Sequence, residues 1–182
     1  MRGMRRIITL VAMFVLATAG AARAGGQEGS VGAGAEFGIN GLAGGVSANY
    51  DAGLFHVGGF LAIYDGGGAN DTDYSIGGRF FWHIHKTAMS DFGVGGGLGF
   101  FSFDKRGGND RTSELFLEPS FQIRAFIASN VALSFTAGIA FGLVDADGFV
   151  LGAQSSVSNA GGVAVANVGI VNATAGIHYY FF

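Results

Sequence analysis

The chain has no cysteine, one proline and few charges for its length. Without cysteine there is no disulfide framework, no thiolate metal site and no lipid-anchoring thiol at a signal-cleavage point. Charged residues are 13% of the 182 positions and hydrophobic ones 49%, with mean hydropathy +0.42. That is too apolar for an ordinary soluble domain and unlike a disordered chain. Long apolar runs are missing as well. After the N-terminus no segment offers the roughly 20 continuous apolar residues that a spanning helix needs. A closed barrel is then the remaining way for so hydrophobic a chain to cross a bilayer. The 34 glycines also weigh against helices, since each one inside a helix costs about 1 kcal/mol relative to alanine.

What is present begins with an expected signal peptide over residues 1–24. Arg2, Arg5 and Arg6 form its positive region, Ile7 to Leu16 its apolar core, and Ala22-Arg23-Ala24 a small-x-small cleavage site. The apolar run is too short to serve as a membrane anchor. The remainder, residues 25–182, is expected to be one domain. The leader carries four of the ten basic residues and none of the thirteen acidic ones. The mature chain is therefore acidic, which argues against nucleic acid as a partner.

From residue 29 onward the hydrophobic pattern has period two, the signature of strands. Eight segments show it: 30–40, 42–51, 54–64, 74–85, 91–103, 113–126, 131–143 and 172–182. In the fourth, Tyr74, Ile76, Phe80, Trp82 and Ile84 alternate with Ser75, Gly77, Arg79, Phe81, His83 and His85. Connections after the second, fourth and sixth segments are short, and those after the third, fifth and seventh are longer. That is the asymmetry of tight periplasmic turns and longer external loops. The expected fold is all-β: an eight-stranded antiparallel up-and-down transmembrane β-barrel behind a cleavable signal peptide, with both ends periplasmic. Within 145–167, Ser158-Asn159-Ala160-Gly161 reads as a hairpin tip extending the last two strands. Pro119, lacking an N–H, is expected to cost a ladder bond or mark a bulge.

One magnitude settles the register. An arginine facing lipid at mid-membrane costs roughly 2–4 kcal/mol, and a one-residue slip turns a whole strand over. Pointing Glu36, Arg79, Glu118, Arg124 and the histidines inward sends Phe, Leu, Ile and Val outward on every segment. A soluble β-sandwich would alternate too, but not with long aromatic faces toward water. Eight strands leave a bore that side chains can fill. The first, fifth and seventh segments offer small residues to it. The third, fourth and sixth offer His56, Phe60, Tyr64, Arg79, Phe81, Phe116, Gln122, Arg124 and Phe126. A plugged interior is expected rather than an open pore.

Two stretches carry a family resemblance. Ile123-Arg-Ala-Phe-Ile-Ala-Ser-Asn-Val-Ala-Leu-Ser134 is a strand–turn–strand, and the chain ends on Tyr179-Tyr180-Phe181-Phe182. With the overall pattern they make residues 25–182 resemble the small bacterial outer-membrane β-barrels, the group of the OmpA transmembrane domain, OmpX/Ail and OmpW. The resemblance implies an outer-membrane location and a C-terminal aromatic signal, Tyr179, Tyr180, Phe181 and Phe182, read by the outer-membrane assembly machinery. In this chain Phe181 shares the apolar register of Ala173, Ala175, Ile177 and Tyr179. Phe182 falls in the inward register of His178 and Tyr180.

Candidate chemistry is sparse. Glu36, Arg79, Glu114, Glu118 and Arg124 are expected to form an interior charge network, because an unpaired charge there is expensive. Such a network is either a self-satisfied bridge or a gate for slow conduction, and the bridge is the expectation. His56, His83, His85 and His178 should also point inward. They are read as polar filler rather than as a metal site. The His-x-Ser-Asn motif of a lipid A deacylase family finds only Ser156-Val157-Ser158-Asn159, with serine where the histidine belongs. Asn70 to Asp73 and Asp145 to Gly148 lack the further ligands of a calcium loop. Lys105, Arg106 and Arg111 gather in one external loop, and phosphates of lipopolysaccharide are their expected contact. The expected protein is non-enzymatic and monomeric, without cofactor or metal, serving envelope integrity or surface interaction. Its expected partners are outer-membrane lipid, lipopolysaccharide and the assembly machinery. A small-solute or ion channel is the alternative, and a lipid A-modifying enzyme comes third.

Overall fold

The computed structural model describes residues 26–39, 44–65, 72–104, 111–145, 148–152, 163–165 and 169–181. Ten strands follow one another: β1 (Val31–Gly38), β2 (Gly44–Asp51), β3 (Phe55–Asp65), β4 (Thr72–Lys86), β5 (Ser90–Asp104), β6 (Arg111–Ala128), β7 (Val131–Asp145), β8 (Gly148–Gly152), β9 (Val163–Val165) and β10 (Gly169–Phe181). The described residues contain no helix. Each of β1 to β7 pairs antiparallel with the next, and β10 pairs with both β1 and β7. Those eight strands close into a barrel. Closure leaves no free edge along the wall, which a hydrocarbon surrounding would not tolerate.

β8 and β9 stand outside that count and depart from the expected extended hairpin. Pairing between β7 and β10 ends at Ala140↔Ile170. Beyond it β8 folds back on the end of β7, from Asp145↔Gly148 to Gly142↔Gly152. β9 pairs with the start of β10 at Gly169↔Val165. β8 thus covers the edge of β7 beyond its pairing with β10. β9 covers the other edge of β10, beyond the end of its pairing with β1, since Ile170 and Val171 pair with both β7 and β9. The expected tip, Ser158 to Gly161, lies outside the described residues, as does the connection at 40–43.

The alternation of the sequence becomes two faces. Outward stand Val46, Leu61, Ile76, Trp82, Leu98, Leu117, Ile123 and Phe181, all exposed. Inward, large residues lie against glycines of the neighbouring strand. A Cβ on Gly77 would stand 2.5 Å from Phe60 Cζ, and one on Gly99 would stand 2.6 Å from Phe116 Cζ. Phe101, Phe116 and Ala140, with Phe60, fill the bore toward the long loops. Phe126, Ala132 and Tyr180 fill it toward the short turns.

Two irregularities matter for the interior. β4 slips by one residue against β5, pairing His83 with Gly93 but His85 with Phe92. Strict alternation placed His85 inward, but the bulge leaves it exposed while His83 stays turned to the bore. At Pro119 the β6–β7 ladder runs to Ser120↔Gly138 and resumes at Leu117↔Phe141 in unchanged register. The proline removes a donor without moving the strand.

Candidate functional site

The polar interior falls into two clusters, each built on one arginine. The first lies at the short-turn end. Arg124 comes from β6, four residues before its end, and points into the bore with 1% of its side chain exposed. Its Nε donates to both oxygens of Asp91, at 2.9 and 3.1 Å. Nη1 donates to the Tyr180 hydroxyl at 2.8 Å. Nη2 donates to Asp51 Oδ2 at 2.6 Å, Asp91 Oδ2 at 2.7 Å and His83 Nε2 at 3.1 Å. Its guanidinium carbon also lies 5.6 Å from the Phe126 ring centroid and 5.8 Å from that of Tyr180.

Local structure explains why these partners meet. Asp51 ends β2, Asp91 is second in β5 and Tyr180 is next to last in β10, so all three are at strand ends on one rim. Asp51 serves two purposes. Its Oδ1 accepts the Gly53 N–H at 2.9 Å, shaping the β2–β3 turn, and its Oδ2 takes the arginine. His83 bridges the same turn, its Nδ1 lying 3.0 Å from the Gly53 carbonyl oxygen. That bond fixes the proton on Nδ1 and leaves Nε2 to accept from Arg124 and from His56 Nδ1, 2.7 Å away.

Ligand atoms of Asp51, His83 and Asp91 converge within 4.8 Å of one another, the spacing of a metal site. All three bond to Arg124 Nη2. The cation this set holds is a guanidinium.

The second cluster is nearer mid-barrel. Arg79 Nη1 pairs with Glu36 Oε2 across the bore, and its guanidinium carbon lies 4.5 Å over the Phe60 ring. Glu36 Oε1 is 3.6 Å from His178 Nε2, and that same nitrogen is 2.6 Å from Ser47 Oγ. Glu118 is buried on the other side of Arg79. Gly97 is the register partner of both residues, and a Cβ there would stand 3.2 Å from Arg79 Cγ, a tight contact. Glu118 Oε2 accepts from Asn172 Nδ2 at 2.7 Å. Glu114 is buried two inward positions closer to the loop end.

The structure therefore divides the expected interior charge network. Glu36, Arg79 and Glu118 gather near one level, while Arg124 belongs to a separate group whose acids are Asp51 and Asp91. Sequence reasoning did not place those two acids or Asn172 in the network, and it had Tyr180 in the inward register without its bond to Arg124. Tyr179 and Phe181 face outward with ring centroids 5.0 Å apart, and Tyr180 turns inward. Phe182, Lys105 and Arg106 lie outside the described residues, as does the side chain of Arg111.

The Ser47–His178 contact has the length of a nucleophile–base pair but not its chemistry. In such a pair the acid orients the base through the second ring nitrogen. Here Glu36 approaches the nitrogen that already meets serine. The buried His178 Nδ1 has no hydrogen-bond partner among the described residues. Ser47 is itself buried.

No protein-family model matches the chain, and none of the curated proteins matches it in sequence. Solved structures do match in fold. The N-terminal β-barrel domain of Pseudomonas aeruginosa OprF is 12% identical with a TM-score of 0.60, covering 86% of this chain and 99% of that one. Ail, the attachment invasion locus protein of Yersinia pestis, is 12% identical with a TM-score of 0.44, over 85% of this chain and 100% of that one. Neisserial surface protein A is 16% identical with a TM-score of 0.44, over 84% and 94%. The chain has the fold of a small eight-stranded outer-membrane β-barrel.

Proposed function

We propose that this is an integral outer-membrane protein whose bore is closed by its own side chains. It works without enzymatic chemistry, in envelope integrity or surface interaction through its loop end. The observation that supports this most is the Arg124 cluster. Side chains from β2, β4, β5, β6 and β10 meet there at one buried guanidinium, across the width of the barrel. A filled bore of eight strands is a wall and an anchor. Purified protein in planar bilayers is expected to give no sustained single-channel current. Reproducible stepwise conductance would overturn the reading. Lipid A incubated in parallel should be recovered unmodified.

In this reading residues 1–24 direct export, the short-turn end faces the periplasm, and the aromatic C-terminus is presented to the assembly machinery. Lys105, Arg106 and Arg111 are proposed to meet lipopolysaccharide phosphates. Reversing their charge should weaken lipopolysaccharide retention. A small-solute channel is the second reading, favoured by one observation: Arg79 stands between Glu36, which it pairs with, and Glu118. If that pair is a gate, Glu36→Gln raises conductance above the parent level.

A further inference from the structure

The short stretch before β1 does not trail away from the barrel. Gly26 is buried, and its carbonyl accepts from Lys86 Nζ at 2.9 Å. The same ammonium lies 3.2 Å from the Gly53 carbonyl oxygen, so one lysine ties this stretch to the β2–β3 turn. A Cβ on Gly26 would collide with the Asp51 carboxylate and stand 3.3 Å from Arg124 Nη2. The backbone of residue 26 therefore rests directly on the buried ion pair, where no side chain fits.

Further along, the chain turns sharply and is pinned. Gly29 has φ +86°, in the region that favours glycine, and its N–H donates to the Asp51 carbonyl at 2.7 Å. Ser30 is buried. Its N–H and hydroxyl both donate to the Gln27 carbonyl, at 3.0 and 2.7 Å, and its own carbonyl accepts the Asp51 N–H at 2.9 Å. The stretch is thus laced to the end of β2 from both sides. Glu28, between these anchors, is exposed.

We infer that residues 26–30 are a strap that seals the short-turn mouth of the barrel, with the Gly26 backbone seated on the Asp51–Arg124 pair as its stopper. The strap makes the Arg124 cluster dry. Without it Asp51 would open to water from the mouth while the wall of the barrel stayed whole. The inference builds on the closed-bore reading but is separable from it, since bilayer conductance tests the bore and carboxylate access tests the mouth.

The test is carbodiimide coupling of an amine to carboxylates in the purified, folded full chain, read residue by residue by peptide mass spectrometry. Exposed Glu28 serves as the internal standard. In the parent, Asp51 should remain unmodified while Glu28 reacts. Gly26→Val, which cannot seat, and Lys86→Met, which loses the anchor, should each raise the Asp51 rate relative to Glu28 at least about tenfold. The heat-modifiable band of a folded barrel should be retained. Lys86→Met carries the test if Gly26→Val does not fold, because Lys86 is exposed at the rim. Asp51 reacting like Glu28 in the parent would overturn the seal, and so would full protection in folded variants. Loss of the barrel in both variants would overturn it as a device separable from the wall.

Discussion

The two interior arginines answer the same problem differently. Arg124 spends every guanidinium nitrogen on protein partners, two of them carboxylates. Arg79 has one carboxylate partner and an aromatic face beneath it, with a second acid held by Asn172 rather than by the arginine. Charge removed from water is repaid only by good geometry and by satisfying the remaining donors and acceptors. Arg124 meets that standard in full. Arg79 meets it in part, and keeps an alternative acid within the same level of the bore. The first arrangement locks strand ends together, whereas the second leaves room for exchange.

The largest break in this comparison should come from Arg124→Met. It strands Asp51 and Asp91 without a cation, and removing one partner of a buried ion pair costs roughly 3–5 kcal/mol. Urea unfolding in lipid or detergent should show that loss, with the folded band weakened. A change below about 1 kcal/mol, the scale of an exposed pair, would mean the cluster is not what holds the short-turn rim.

The prominence of Arg124 was legible before its partners were. An arginine inside a strongly alternating strand has one affordable direction, so its inward turn followed from the pattern of β6. The same reasoning gave the eight wall strands and their two faces. Asp51 and Asp91 escaped because they sit at strand ends, where a turn already accounts for an acidic residue. Asp51 does shape such a turn, with one oxygen, which hid the use of the other. His85 escaped for a different reason. Residue types carry no mark of a one-residue bulge at Ile84, and alternation continues through it. β8 and β9 lie in a stretch without clean alternation, where pairing depends on which edges the barrel leaves open. The Gly26 seat was invisible as well, since a glycine before a strand reads as a loop.

A second way to sharpen the contrast uses the metal-like geometry at Arg124. Arg124→Ala leaves Asp51, His83 and Asp91 with ligand atoms within 4.8 Å of one another and an emptied centre. Zinc accepts such oxygen and nitrogen ligands at about 2.0–2.2 Å. Zinc should stabilise this variant but not the parent, by about 2.7 kcal/mol at a hundredfold excess over the dissociation constant. Equal zinc response in both proteins would show that the guanidinium does not occupy that centre.

Arg79→Met should cost less than Arg124→Met. Glu36 would keep His178 nearby, so the expected loss is that of a buried acceptor left short of a donor, about 1–3 kcal/mol. Adding Glu36→Gln should recover part of it, because the stranded charge is then gone. A double variant no more stable than the single one would place the cost in lost packing over Phe60 instead.

The smallest effect tests whether the Arg79 cluster extends to His178. Ser47→Ala removes the 2.6 Å bond to Nε2 and nothing larger, so about 1 kcal/mol is expected. Its informative use is in a cycle with Arg79→Met. His178 Nε2 is shared between Ser47 and Glu36. Freed from the serine, the imidazole can turn fully to Glu36 and stand in for the missing guanidinium. The two substitutions together should then cost less than their sum, by more than the few tenths of a kcal/mol allowed for independent sites. Strict additivity would confine the cluster to Glu36 and Arg79, leaving Ser47–His178 a separate bond in the wall. Sub-additivity would mean that the mid-barrel cluster, unlike the Arg124 rim, holds a second donor in reserve for its acid.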